Sequence, residues 1–287
     1  MAMVTETNTP GLRAREKAIA EQFIGGFPWI MVIWPLVNTS LWLALWPLVM
    51  TGALPLWAGF LIATINMTAA YLPSHEAQHH IIVPEGSRWH WFNEFIGWYA
   101  LIPMFAPLTV LRVTHFEHHR HTNDPLLDPD IPMAANSGWA AIGRALVKGQ
   151  PRHDRYGMAL QRLGTSAAKT ATLHAMVAKV GQYSILAALA WSGHALEALL
   201  LWWLPLKIGL VYINFYLSWA PHRPMDGRGR YKDTRAFRSF FGNIGSSGMQ
   251  YHIIHHLYPT IPLNRHPAAF RALRPILEER GCDLGGL

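Results

Sequence analysis

The sequence predicts an all-α integral membrane protein: four transmembrane helices plus a re-entrant or interfacial hairpin, with a cytoplasmic helical cap that carries a cluster of histidines. Three observations predict it. Of the 287 residues 51% are hydrophobic and only 14% charged, well below the roughly 25% charged residues of soluble domains. Four stretches, about residues 27–50, 54–72, 171–191 and 195–220, are long and apolar enough to cross a hydrocarbon core of roughly 30 Å, which takes about 20 helical residues. Finally, three histidine clusters, His75-x3-His79, His115-x2-His118-His119 and His252-x2-His255-His256, each stand beside an apolar stretch.

Each element follows from local sequence. Residues 1–26 form a cytoplasmic N-terminal segment with Arg13, Arg15 and Lys17, of which residues 1–22 are polar and read as poorly ordered. They lack the short apolar stretch and small-residue cleavage site of a signal peptide, so none is expected. The first span has no formal charge, and Thr51-Gly52 with Pro55 marks a tight reversal. The second span ends at the first histidine cluster, where Pro73-Ser74 either caps the helix or kinks it while His75 and His79 continue on the next turn. Trp and Tyr crowd residues 89–99, as at the headgroup level of a bilayer.

The apolar stretch 95–113 contains Pro103 and Pro107. A single crossing there would put the first two clusters on opposite faces, so it reads as a re-entrant hairpin, whose broken backbone is tolerated where protein covers it. Residues 123–170 form a polar, partly helical connector with Arg144, Lys148, Arg152, Arg155, Arg162 and Lys169. Two more spans meet at Ser192-Gly193-His194. The last cluster comes next, and residues 263–287 form a cytoplasmic tail with an amphipathic helix over 267–280. The membrane domain is thus expected over 27–262. Lys and Arg are absent from the turns at 51–55 and 192–194, which puts both termini and all three clusters in the cytoplasm.

Composition alone gives about 0.05 occurrences of H-x-x-H-H in a chain with 16 histidines, so two copies stand well above chance. On a helix, residues three and four apart share a face, so each cluster can present a set of imidazoles. Adjacent histidines point about 100° apart, which suits two neighbouring ions. Imidazole accepts Zn, Cu, Fe and Ni alike. The single cysteine, Cys282, excludes a disulfide framework and Cys-based metal sites. The +7 charge is distributed around the spans rather than on a basic face with interleaved aromatics, so no nucleic acid partner is expected.

The order of these clusters around membrane hairpins resembles the membrane fatty acid desaturase and hydroxylase superfamily, over about residues 27–262. Three flanks, His118-His-Arg-His-Thr-Asn-Asp-Pro125 with Asp128-Pro-Asp130, Pro221-His-Arg-Pro224 and Gln250-Tyr-His-Ile-Ile-His-His-Leu-Tyr-Pro-Thr-Ile-Pro262, are similar to those of the cyanobacterial-type β-carotene hydroxylases. A departure is Glu76, where those relatives usually have Asp, and the extra His80. The resemblance implies a non-haem centre of two Fe with O2 as co-substrate. Its ligands would be His75, His79, His115, His118, His119, His252, His255 and His256, with His222 as the ninth. It implies hydroxylation of a lipid-soluble substrate, a carotenoid β-ring (β-carotene to zeaxanthin), with a fatty acyl desaturase or hydroxylase as the second reading. No flavin, cytochrome or cysteine-cluster motif is present, so electrons are expected from an external donor, a ferredoxin on the basic face.

Glu76, Glu117, Asp124, Asp128 and Asp130 flank the clusters and are expected to orient imidazoles through their second nitrogen; the Asp-Pro pairs also favour turns. His80 and His121 are expected to support the ligands from beside the clusters, with replacement of a ligand as the second reading. His90, His153, His174, His194 and His266 read as structural. Lys179 and Lys207 lie inside spans, where charge usually faces a cavity; snorkelling to the interface is the alternative, favoured more for Lys179 than for the deeper Lys207. The substrate is expected to enter sideways along a groove between the last span and the re-entrant hairpin. His75-Glu-x-x-His79 also fits a zinc protease, with Glu76 as base and Asp128 or Asp130 as third ligand, but this leaves both H-x-x-H-H clusters unused. A metal transporter would place its ligands near mid-membrane, and here every cluster ends a span.

Overall fold

The computed structural model describes residues 10–147 and 154–287; Lys148, Arg152 and His153 lie outside the described residues. In chain order the helices are α1 (Pro10–Glu21), α2 (Trp29–Met50), α3 (Leu56–Gln78), α4 (His90–Ala100), α5 (Leu108–His121), α6 (Gly138–Val147), α7 (Arg155–Leu163), α8 (Ser166–Trp191), a composite α9 (Ala195–Trp219), α10 (His252–Leu257) and α11 (His266–Glu279). The described residues contain no strand. Among the described residues, helices α2, α3, α8 and α9 are the four long and apolar enough to cross a membrane.

Polar side chains bond the spans together where hydrocarbon offers them no other partner. Asn38 Nδ2 donates to the Asn66 carbonyl at 3.0 Å while Asn66 Nδ2 donates to Asn38 Oδ1 at 2.7 Å, joining α2 to α3. Trp42 Nε1 donates to the Leu201 carbonyl at 3.0 Å, joining α2 to α9. Gly209 lets the backbone of α9 approach that of α3: a Cβ there would lie 3.1 Å from the Met67 carbonyl carbon.

Helices α4 and α5 make the hairpin expected between the second and third spans, with the bend at residues 101–107. Trp202 Nε1 holds the bend by donating to the Pro103 carbonyl at 2.9 Å. Arg112 on α5 forms a two-pronged pair with Glu94 on α4, 3.0 and 2.6 Å, and donates to the Ala77 carbonyl on α3 at 2.9 Å. One guanidinium therefore fixes the helices that carry the first and second clusters.

Of the two outcomes left open at Pro73-Ser74 the helix continues: α3 runs through Pro73 to Gln78, so His75 lies within it. Two boundaries differ from expectation for physical reasons. Helix α8 begins at Ser166, earlier than residue 171, because Thr165 caps it by accepting from Ala168 N. The described part of the N-terminal segment is ordered: α1 is a 12-residue helix whose Ala20 shares a core with Ile253, Ile254 and Leu257 of α10 and with Phe270 and Leu273 of α11. That core, on the other side of α10 from its histidines, spans residues on both sides of the expected limits at 26 and 262.

The last span is irregular. Two π-helical stretches, Ala198–Trp203 and Asn214–Trp219, flank a regular α-helix. Each π turn inserts a residue and rotates the helix beyond it, and the second sets the direction in which Trp219 hands the chain to His222.

Candidate metal centre

The three clusters meet at one end of the span bundle. His75 and His79 descend from the end of α3, one turn apart. On α5 the sequence His115-Phe-Glu-His118-His119 puts three imidazoles on one side of the helix. On α10, Ile253, Ile254 and Leu257 are buried in the cap core, which turns His252, His255 and His256 the opposite way. His222 arrives from the end of α9.

The imidazoles divide into two groups. Ligand atoms of His75, His79, His115 and His255 all lie within 4.8 Å of one another, and so do those of His118, His222 and His256. His119 Nε2 adjoins the first group, 3.0 Å from His115 Nε2 and 2.9 Å from His255 Nε2. The His252 ring lies between the groups, its centroid 5.1 Å from that of His255 and 4.8 Å from that of His256. Adjacent histidines are thus divided, 118 from 119 and 255 from 256, as the 100° step between helical neighbours requires.

These nitrogens fit a cation better than each other. His115 Nε2 stands 2.8 Å from His79 Nε2, 3.0 Å from His119 Nε2 and 3.4 Å from His255 Nε2, yet an imidazole nitrogen has either one hydrogen or one lone pair in its plane. Both ring nitrogens of buried His75, with His252 Nδ1, His255 Nδ1 and His256 Nε2, have no hydrogen-bond partner. Burial, reinforced by neighbouring histidines, holds His115, His119, His252, His255 and His256 far below the usual imidazole range. Burial pushes His79 down to about 3 and His222 to about 4. Neutral imidazoles are the form that binds metal.

Among the flanking residues, Asp128 is the one placed to orient a cluster imidazole: its buried Oδ1 lies 2.9 Å from His118 Nδ1, and its Oδ2 accepts from Asn123 N at 2.7 Å. A corresponding bond that the sequence reading missed links His222 Nδ1 to the Asp233 backbone carbonyl at 3.0 Å. No side-chain pattern announces a backbone acceptor. The other candidates have the following partners. Glu76 Oε1 accepts from Leu263 N at 3.2 Å. Glu117 binds Arg120 and Arg162, with His121 Nε2 at 3.9 Å. Asp124 accepts from Leu126 N and Leu127 N, as a turn residue does. Asp130 accepts from Tyr156 OH at 3.0 Å and Ser218 Oγ at 2.8 Å. His80 pairs with His90, Nδ1 to Nε2, at 2.9 Å. Among the described residues, the group that gathers His75 and His79 is completed by His115 and His255 rather than by a carboxylate, which is not the protease arrangement.

A cavity of 270 Å³ reaches the histidines from the span side, touching His75, His115, His118 and His252. Met104, Ala106 and Leu111 of the hairpin region form one wall and Lys207, Leu210 and Val211 of α9 another, which is where the sequence placed the groove. Lys207 lines it and also lies 5.5 Å from the Trp203 ring. Lys179 is exposed.

The family model described as fatty acid desaturase matches residues 40–284. An sn-1 oleoyl-lipid 12-desaturase of Picosynechococcus sp. is 30% identical over 98 residues, which is 34% of this chain and 24% of that protein. A zeaxanthin 4-ketolase of Chlamydomonas reinhardtii is 36% identical over 66 residues, 22% of this chain and 14% of that protein. The matches span less than a quarter of the length of either relative.

Proposed function

Because the chain belongs to the fatty acid desaturase family, we propose that it is an O2-dependent non-haem di-iron membrane oxygenase that hydroxylates a lipid-soluble substrate, a carotenoid β-ring. The observation that carries the reading is the cavity: it ends on four cluster histidines and has mainly apolar walls from two span-side elements, with Lys207 and Asp130 among its polar lining. At 270 Å³ it suits one end of a long hydrocarbon, with the remainder left in lipid. The carotenoid is favoured by the flanks at Asn123-Asp-Pro, Pro221-His-Arg-Pro and His256-Leu-Tyr-Pro and by the likeness to a ketolase named for zeaxanthin. The likeness to an oleoyl-lipid desaturase supports the second reading, a fatty acyl desaturase or hydroxylase.

His75, His79, His115, His118, His119, His222, His252, His255 and His256 would hold the two irons, and bound iron supplies the activation of dioxygen that no side chain can. The remaining work belongs to the protein. Asp128 fixes the tautomer of His118 and the Asp233 carbonyl that of His222, so each directs Nε2 inward. Leu111, Leu210, Leu217 and Met104 exclude water and orient the hydrocarbon, and placement at roughly ångström precision decides which C–H bond is presented. Electrons come from an external donor, proposed to be a ferredoxin-type protein. The cap, both termini included, is proposed to be cytoplasmic.

The test is expression in cells that accumulate β-carotene, with pigments and acyl chains analysed together. Zeaxanthin and its monohydroxylated precursor are the expected products. Unchanged pigments with new double bonds or hydroxyls in acyl chains would establish the second reading instead.

A further inference from the structure

Between the last span and the third histidine cluster lies Ser239-Phe-Phe-Gly-Asn-Ile-Gly245, with a helical turn over Gly242–Gly245. Phe240 is 91% exposed, Phe241 73% and Ile244 93%, and no part of the described chain covers them. In water such a cluster would be unfavourable, and patches of this kind mark a partner.

The level of the loop identifies that partner. Tyr212 OH donates to the Gly245 carbonyl at 2.8 Å and lies 2.9 Å from Ser247 Oγ. Tyr212 is well inside a candidate membrane span that ends at Trp219, about 10 Å back along the axis at about 1.5 Å per residue. The loop therefore lies alongside the span instead of standing off the cap. Arg238, exposed at its base, donates to the Gly286 carbonyl at 2.9 Å and sits where cations meet lipid headgroups. We propose that Phe240, Phe241 and Ile244 form a lipid-inserted finger that seats the third histidine cluster on the bilayer.

The coupling to the cluster is short and covalent on one side. Ser239 N donates to Gln250 Oε1 at 2.9 Å and Phe237 N to the Gln250 carbonyl at 3.1 Å, so Gln250 closes the base of the finger. His252 comes two residues later. The depth of the finger in lipid thus sets the height at which α10 presents its imidazoles, whatever metal or substrate they serve.

The test uses the full chain in lipid nanodiscs. Cys282 is the only cysteine, so Cys282→Ser supplies a background for Ile244→Cys and, as a control on a polar loop, Leu126→Cys, each labelled with a small fluorophore. Lipids bearing a nitroxide near the top of the acyl chain should quench the label at 244 several-fold more than aqueous iodide does, with the reverse order at 126. Iodide quenching at 244 equal to that at 126 overturns the proposal. So does a label at 244 that neither quencher reaches, which would mean that protein, such as a second copy of the chain, covers the finger.

Discussion

His118 and His119 are neighbours in sequence but belong to different groups of imidazoles, and so do His255 and His256. If each group holds one ion, His118→Ala, His119→Ala, His255→Ala and His256→Ala should each abolish turnover and lower the iron content of the purified protein. Full activity with two bound irons in any of them would remove the assignment. Asp128→Asn is a subtler probe, because the amide leaves the shape intact but weakens the hold on His118 Nδ1. Loss of a group that orients a metal-bound histidine typically costs about 10–100-fold in affinity or activity, and iron retention against a graded chelator would read it. Protons should compete for the same nitrogens. Burial depresses His79 to about 3 and His222 to about 4 in the folded protein, against roughly 6.5 for the unfolded chain, so the unfolded state takes up protons first on acidification. The stability present above pH 6.5 is therefore lost as pH falls from about 6.5 towards about 3. The thermal midpoint of iron-free protein should decline across that window, and a flat profile would contradict it.

At the scale of elements, what was legible depended on how local the signal was. The four spans and the α4–α5 hairpin follow from long apolar runs and from the requirement that the clusters meet, and the histidine faces follow from three- and four-residue spacing. Helix α1 was missed because its reason for existing is far away. Glu16 is fully buried, accepting from Tyr231 OH and Tyr258 OH, each at 2.8 Å, and lying 3.6 Å from Arg230 and 3.5 Å from Arg280. A carboxylate among polar residues reads as solvated until the two tyrosines and two arginines, more than 200 positions on, fold around it. The same applies to Asp233, whose role lies in its carbonyl. Because Tyr258 closes α10, Glu16 ties the N-terminal helix to the third cluster. Glu16→Ala removes a buried acceptor shared by two tyrosines and two arginines, and losing one partner of a buried pair costs roughly 3–5 kcal/mol. Unfolding in detergent should shift accordingly, and limited trypsin digestion should release the segment at Arg15 and Lys17 faster than in the parent chain.

For the whole molecule, the gathering of all three clusters at one end of the bundle constrains the topology. Helices α2 and α3 form one hairpin and α8 and α9 another, while α4 and α5 return to the end they left, so an even number of crossings separates each cluster from the next. The turns at the far end, 51–55 and 192–194, carry no Lys or Arg, whereas the stretch from Arg223 to Arg238 alone has Arg223, Arg228, Arg230, Lys232, Arg235 and Arg238. Positive charge retained next to spans marks the cytoplasmic side, which supports the proposed cytoplasmic placement of the histidine end, where a soluble electron donor would reach it. In the Cys282→Ser background, a thiol reagent that cannot cross the membrane should label Ser192→Cys from outside intact cells and reach Leu126→Cys only after lysis. Labelling of Leu126→Cys in intact cells, with Ser192→Cys protected, would invert the molecule and require an electron donor on the opposite side.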